Sequence, residues 1–432
     1  MSLARQRLQE HGGLSSQWLE MMEMGLRQAL HKDGCRLLGK LIEESGAQLD
    51  HQAQRPGERC YAQRSRRMET ILGPVELQRS YYHSPGKGRV PLDEALGLID
   101  SYTPALARLM CRAGANDNFQ RAGEDLRCFG AIEVGSRQIQ RMVGQIAPDF
   151  ERLLRQPEEA PPTTQPIPVL YTMSDGTGVP MRKEELQGRK GRQPDGSAKT
   201  REVKLGCVFT QHTTDSQGFP IRDEASTSYV ASFETASDFA PRLRQEAIRR
   251  GMAYALKTVF LGDGAAWVWE LARVNFPNAI CILDFYHATQ HLKNLTDALY
   301  GQDSQESIKH FHLWKIMLLN DQLQVVLAQA TAKLPKNQNL QKLALQQIAY
   351  FNTNAQRMRY ASFRSQGLFI GSGVVEAGCK SLIAKRFKQS GMLWSLPGAS
   401  HVLALRCALA SNRFDHLWSR RTLSQPQLAL AA

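Results

Sequence analysis

Two short apolar runs, at 258–262 and 279–283, each stop at an aspartate, Asp263 and Asp284. They are continuous rather than alternating, the pattern of strands buried on both faces. A helix-length segment at about 265–275 separates them. Such a strand–helix–strand unit leaves its two strands parallel. Upstream, 202–209 alternates, with Val203, Leu205, Cys207 and Phe209 on one face, and 169–174 is short and apolar. A further strand is expected at 228–232 and a helix at 237–251. Together these runs predict an α/β domain built on a mixed sheet.

The flanking regions carry other patterns. From 291 to 363 the chain reads as helix, rich in Leu, Gln and Lys, with no strand run, so the α/β domain is expected to hold an all-helical insertion. Another helix is expected at 397–412, followed by a polar, fraying tail. Pro161-Pro162-Thr163-Thr164-Gln165-Pro166 cannot continue a helix and marks a linker. Residues up to about 60 read as helical, with an apolar stripe through Trp18, Met21, Met22 and Leu26. A β-hairpin is expected from runs at 69–72 and 75–82 around Gly73-Pro74, then a loop at 84–88 and a helix at 91–112.

Segments 119–128 and 137–146 read as two helices joined by a turn at Gly130 and Gly135, with Ser136 as N-cap. Ile139, Val143 and Ile146 share one side; Arg137, Gln138, Gln140 and Arg141 lie off it. That is the pattern of a helix-turn-helix whose second helix reads DNA, and equally of a plain packed hairpin. The expected domains are 1–112 (helical, with the hairpin), 113–160 (helix-turn-helix-like), linker 161–167, core 168–290, insertion 291–365, final core part 366–415 and tail 416–432.

Bulk properties narrow the class. Lys plus Arg number 54 against 41 Asp plus Glu, a net charge of +13, which favours a polyanionic partner. The 8 cysteines form no CxxC pair and several sit in apolar runs, which predicts free thiols in a reducing compartment rather than a disulfide framework. No apolar run approaches the ~18 residues of a membrane span, and no apolar leader opens the chain, so a cytoplasmic protein that does not enter membranes is expected.

Three acids carry the expected chemistry. Asp175, in Ser174-Asp175-Gly176-Thr177-Gly178, ends a strand-like run, as Asp263 does in Gly262-Asp263-Gly264. Ligands of α/β sheets gather at the carboxyl ends of strands. Glu376, in Gly373-Val374-Val375-Glu376-Ala377-Gly378-Cys379-Lys380, opens a basic helix with Lys380, Lys385, Arg386 and Lys388 placed to line a path for phosphates. Asp175, Asp263 and Glu376 would be both catalytic and metal-binding. Their oxygen-only ligand set favours two Mg²⁺ or Mn²⁺ ions, which some ~4 Å apart can clamp the attacking and leaving oxygens of a phosphodiester. Asp284 and His287 form an auxiliary pair, as a further ligand and an orienting group, or as a helix N-cap and a packed histidine. A turn aspartate, a second N-cap and a solvated Glu376–Lys380 pair are the plainer readings of the three acids.

With these residues laid out, the chain resembles a bacterial insertion-sequence transposase of the ISKra type. The resemblance spans nearly the whole chain and rests on Thr70-Ile71-Leu72-Gly73-Pro74-Val75, Pro91-Leu92-Asp93-Glu94, the 174–180 and 262–264 runs, 283–287 and 371–380 taken in order. It implies a DDE transposase with a ribonuclease H-like core, whose acids lie on the first strand, the fourth strand and a later helix. It also implies a D-x-x-H element at Asp284 and His287, as in Mutator-like transposases. The implied activity is metal-dependent cleavage of double-stranded DNA at element ends and strand transfer into target DNA. A homo-oligomer assembled on DNA in the bacterial nucleoid region would carry it out. An inactive or domesticated DNA-binding relative, and a nuclease without strand transfer, are the alternatives. One departure stands out: the stretch His83-Ser84-Pro85-Gly86-Lys87-Gly88 lacks the cysteines that often follow the hairpin in that family, so no four-ligand zinc site is expected there.

Overall fold

The computed structural model describes residues 16–53, 59–84, 87–160, 162, 165–186 and 200–423. Residues 161, 163 and 164 of the proline-rich linker, the centre of the 84–88 loop and the end of the tail lie outside them. The chain divides into two compact units, residues 1–149 with 415–432, and residues 150–414. The division falls within a helix at Asp149 and Phe150, upstream of the proline-rich segment.

In the first unit, helix α1 (Ser16–Ala53) precedes an antiparallel hairpin, β1 (Arg59–Thr70) and β2 (Gly73–Ser84), extended by the short β3 (Lys87–Arg89). The hairpin is longer than expected, and its turn is Ile71-Leu72 rather than Gly73-Pro74, because Thr70 already pairs with Gly73. The Thr70 hydroxyl closes the turn by donating to the Gly73 carbonyl, 2.8 Å, and accepting from the Leu72 N–H, 3.0 Å. Met68, Val75 and Leu77 form the local core, packed by Cys35, Leu38 and Ile42 of α1. The expected stripe of α1 is only partly covered: Trp18 and Met22 are half-buried, and Met21 and Leu26 are exposed. Leu19, Leu26, Leu30, Leu37 and Leu41, recurring in steps of seven and four, are all exposed as well. The helix carries apolar residues on more than one face, and sequence periodicity alone does not say which face packs.

The helix expected at 91–112 is two: α2 (Pro91–Leu96) ends at Gly97, φ 59°, and α3 (Pro104–Asn116) restarts behind the Thr103 cap. Helices α4 (Phe119–Gly130) and α5 (Ser136–Arg155) follow, the second running well past its expected end, through Pro148. Asn118 caps α4 by accepting the Arg121 N–H, 3.0 Å. Ile139, Met142, Val143 and Ile146 are buried, while Arg137, Gln138, Gln140 and Arg141 are exposed.

The second unit is a mixed α/β fold. Strands β4 (Ile167–Pro180), β5 (Thr200–Thr214), β6 (Pro220–Arg222) and β7 (Ser228–Ser232) lead into helix α6 (Ala236–Arg249). Strand β8 (Ala255–Gly262), helix α7 (Ala266–Asn275) and strand β9 (Ile280–Leu283) form the expected crossover. The sheet order is β6-β5-β4-β8-β9, with β7 also pairing β5. The β4–β5 pair is antiparallel; β4–β8 and β8–β9 are parallel.

Helices α8 (Phe285–Tyr300), α9 (Gln305–Leu319), α10 (Leu323–Ala332), α11 (Gln338–Asn354) and α12 (Tyr360–Ser365) supply the helical stretch. Next, α13 (Gly373–Gly378) passes through a π-helical stretch, Cys379–Ala384, into α14 (Lys385–Phe387). Then come α15 (Leu396–Ala410) and α16 (Phe414–Leu423). Part of the expected fraying tail is therefore helix. Arg421 binds Asp149 at 2.9 Å, and Arg108 binds Asp415 at 2.6 Å, both within the first unit. No helix among the described residues is long and apolar enough to cross a membrane.

Candidate active site at the strand ends

The parallel pairing of β4, β8 and β9 ends on one line: Ser174 pairs with Gly262, and Gly262 with Leu283. The next residue on each strand is an acid: Asp175, Asp263, Asp284. Neighbouring strands lie ~4.8 Å apart, so the register alone sets three carboxyl-bearing residues side by side. Asp175 does not end its strand as expected. Pairing with β5 continues from Asp175–Leu205 to Pro180–Thr200. Asp175 stands where the sheet loses its parallel neighbour, which opens one flank of β4 beside it.

The three acids have different environments. Burial holds the Asp175 carboxyl above the usual carboxylate value, and the charge of Asp263 adds to the rise. The Cys379 thiol, the Gly176 N–H and His287 oppose it. Cys379 donates to Asp175 at 3.3 Å, and Gly176 N–H donates at 2.6 Å. Asp263 accepts the Ala265 N–H at 3.0 Å as α7 begins. Asp284 is fully buried, and each of its carboxylate oxygens accepts a backbone N–H. One oxygen accepts the His287 N–H, 2.7 Å, as N-cap of α8, and the other accepts the Ser372 N–H. This is the N-cap role that the sequence offered as its plainer reading. The His287 side chain is half-buried and close enough to Asp175 to favour its charged form.

The same contacts deliver Glu376. The Phe285 N–H donates to the Ile370 carbonyl at 2.9 Å, and with the Asp284–Ser372 bond it fastens the segment before α13 to the end of β9. Farther back, Gln211 holds the Gly367 carbonyl at 2.9 Å, and the Tyr171 hydroxyl accepts the Phe369 N–H at 3.2 Å. Helix α13 then lies on the sheet so closely that a Cβ on Gly378 would stand 2.7 Å from the Tyr229 ring and 3.0 Å from Leu205. A π-helical stretch begins one residue later, an irregularity common at functional sites. Glu376 is half-exposed, with its carboxylate 3.9 Å from Lys380. Cys379, next along that face, is the bridge to Asp175. Burial and the charge of Asp175 hold its thiol protonated. Among the described residues, no three His, Cys, Asp or Glu side chains converge closely enough to enclose a metal ion. Asp175 and Asp263 are neighbours, and Glu376 stands off beside Lys380.

Basic residues around the site split into two kinds. Lys380 and Lys385 are exposed, and Lys388 donates to the Thr177 hydroxyl at 2.7 Å, tying α14 to the open flank of β4. Arg386 corrects the expectation of a phosphate path: it is 1% exposed, with its guanidinium 4.9 Å from the Trp394 ring centroid. Its position next to Leu382, Ile383 and Phe387 turns it to the packed side of the helix. Arg386→Ala is therefore expected to lower folding stability, by about 2 kcal/mol for the desolvated cation–ring contact with packing loss on top. Denaturant unfolding followed by far-UV dichroism checks this; an unchanged midpoint would return Arg386 to the surface role.

Sequence reading did not single out Cys379, Thr177, Ser372 or Tyr350. Tyr350 comes from the helical stretch, where it stacks on His291 at 3.6 Å and reaches the Asp263 carbonyl at 3.4 Å. Three of these contacts involve backbone groups or a hydroxyl on a distant element, which leave no periodic signal. Cys379 was legible only as one member of an apolar stripe. In the first unit, the exposed α5 residues are partly engaged already: Gln138 accepts the Gly135 N–H at 2.7 Å, and Arg141 lies 3.4 Å from Asp100.

No curated protein matches the chain. Among solved structures, the Drosophila P element transposase strand transfer complex is similar over 74% of this chain and 80% of that one, at 10% identity and a TM-score of 0.27. A superposition that loose bears on neither fold nor chemistry. The family comparison reaches much further: the match to the uncharacterised protein family UPF0236 runs from residue 14 to residue 412, and the chain belongs to that family.

Proposed function

We propose that this protein is a DDE transposase of the ISKra type with a ribonuclease H-like core, which cleaves DNA at element ends and joins the freed 3′-hydroxyl to target DNA. The observation that carries the reading is the pair Asp175 and Asp263, side by side where the parallel pairing of β4 and β8 stops, with the segment that follows Glu376 fastened to β4 through Cys379. The sheet order supports it. Strands β6 and β7 pair with successive stretches of the same edge of β5; counted as one interrupted strand, they give an order from β4 of third, second, first, fourth, fifth, with the second strand antiparallel. In that count the acids fall on the first strand, after the fourth, and on a later helix, as the resemblance implies. The net charge of +13 suits a DNA partner.

The donor set fits hard divalent cations. All three acids offer oxygen, and the Asp263 charge that raises the proton affinity of Asp175 favours a cation between the two. Asp175 and Asp263 would hold Mg²⁺ or Mn²⁺, with Glu376 exchanging Lys380 for the ions. Bound there, the metals would acidify a water and neutralise charge on the phosphodiester oxygens. The chain's own groups do the positioning. Cys379 and Gly176 aim the Asp175 carboxylate, His287 favours its charged form, and Asp284 fixes the segment that delivers Glu376. Lys380, Lys385 and Lys388 would offset phosphate charge along the helix. Arg137, Gln138, Gln140 and Arg141 would read DNA from the exposed face of α5. Work on two DNA ends at once calls for at least a dimer, in the bacterial nucleoid.

The test uses labelled DNA carrying the element's own ends, in Mg²⁺, in Mn²⁺ and in EDTA, beside a pre-cut end offered with target plasmid. Metal-dependent nicking with joining is expected. Nicking without joining would make the protein a nuclease. Binding with no nicking in either metal would sink the enzyme reading.

A further inference from the structure

The hairpin of the first unit changes character along its length. Near its turn the strands bury Met68, Val75 and Leu77. Toward the open end the cross-strand pairs become Arg64–Arg79, Ala62–Tyr81 and Arg59–His83. There the Arg64 guanidinium lies 3.6 Å from the Tyr81 ring centroid. Tyr61, 76% exposed, stands edge-on to Tyr81 at 6.5 Å and 6.2 Å from the ring of His83. Gly88 on β3 leaves room for this arrangement, since a Cβ on it would overlap the Tyr81 ring.

Charge pairing separates the arginines of this sheet. Arg66 and Arg79 bind Asp93, Arg67 binds Glu69 at 2.8 Å, and Arg89 binds Glu94 at 3.4 Å. Arg59 and Arg64 are exposed and, among the described residues, have no carboxylate partner. A guanidinium stacked on a ring keeps its donor edge directed outward and is already ordered, so it loses little entropy on meeting a phosphate. A tyrosine ring three-quarters in water presents a π face that any unpaired base can cover. Unpaired guanidinium and open ring side by side suit a nucleic acid better than an acidic peptide, which would use only the charge.

We propose that the open end of the hairpin is a second DNA-contact site, distinct from α5 and from the strand-end acids, for DNA carrying an unpaired segment. Arg59 and Arg64 bind phosphates, and Tyr61 stacks on an unpaired base. This rests on the DNA-processing reading above and names the structural class of DNA: a frayed or overhanging end rather than an intact duplex.

The test is fluorescence anisotropy of the full-length protein with a labelled blunt duplex and the same duplex bearing a 3′ overhang, across a salt series. Tyr61→Ala is expected to weaken binding to the overhang DNA about tenfold and to leave the blunt duplex unchanged. Arg59→Ala/Arg64→Ala is expected to weaken both and to flatten the log–log salt slope by about two. Tyr61 is too exposed for its loss to unfold the protein, so it decides the matter even if the double variant misfolds. Equal effects of Tyr61→Ala on both DNAs, or none, would overturn the proposal. If wild type and variants bind overhang DNA alike, this site falls while the proposed function stands. If the wild type binds no DNA at any salt, both fall.

Discussion

Asp175→Asn is expected to give a protein that cleaves DNA at least about 10²–10³-fold more slowly and yet melts at a higher temperature near neutral pH. The two effects share one cause. Burial and the charge of Asp263 hold the Asp175 carboxyl above its ordinary value of 3.8 in the folded chain. The folded state thus binds that proton more tightly than the unfolded one does. Stability from this group is complete below the unfolded value and is lost as pH rises through the higher folded value. At pH 8 the wild type carries a charged carboxylate in a site that resists it, and the amide removes that penalty. Thermal melts in EDTA should show the variant ahead at pH 8 and the gap closing toward pH 4. Adding Mg²⁺ should stabilise the wild type and not the variant. A variant that melts lower at pH 8, or still cleaves, would contradict the assignment.

Asp284→Ala should give the largest loss of stability among the strand-end acids. It strips the partner from two backbone N–H groups, of His287 and Ser372, around a fully buried position. Each buried donor left unsatisfied costs about 1–3 kcal/mol. The variant should therefore unfold at markedly lower denaturant, and cleavage should fall with it, because the segment carrying Glu376 loses its anchor. Asp284→Asn keeps an acceptor oxygen and should recover part of the stability. If Asp284→Ala matched the wild-type midpoint but lost metal-dependent cleavage, Asp284 would be a ligand after all. Urea titration read by tryptophan fluorescence separates the two cases.

The crossover was legible in the sequence, its strand ends to the residue and the start of β8 three residues late. The runs at 258–262 and 279–283 became β8 and β9, because continuous apolar residues bounded by Gly and Asp fit little else. Asp175 was legible as a residue and not as a position. Two glycines within three residues look like a turn, yet they lie in a strand that β5 pairs as far as Thr200. Arg386 was misread because its charge outweighed its spacing, and spacing decided the packing. For α1, apolar residues on several faces gave no basis for choosing the one that meets the hairpin. The site's acids stood out in sequence, and the N–H groups of Gly176, Ala265 and His287 that meet them are local, while the Cys379 thiol and the Ser372 N–H come from far along the chain.

The common register at which β4, β8 and β9 stop pairing also bears on which changes of length this chain survives. Side chains alternate along a strand, so one residue added or removed within 255–262 would turn Asp263 to the opposite face of the sheet from Asp175. A deletion there would act like loss of the acid itself, though Asp175, Asp263 and Glu376 all remained in the sequence. The helical stretch has no such arithmetic. Its turns at 301–304 and 333–337 join helices that pack side by side, and neither turn holds an acid of the site. Reading-frame-preserving insertions, whether from drift among relatives or from an engineered tag, should therefore collect in those turns and be absent from the strands.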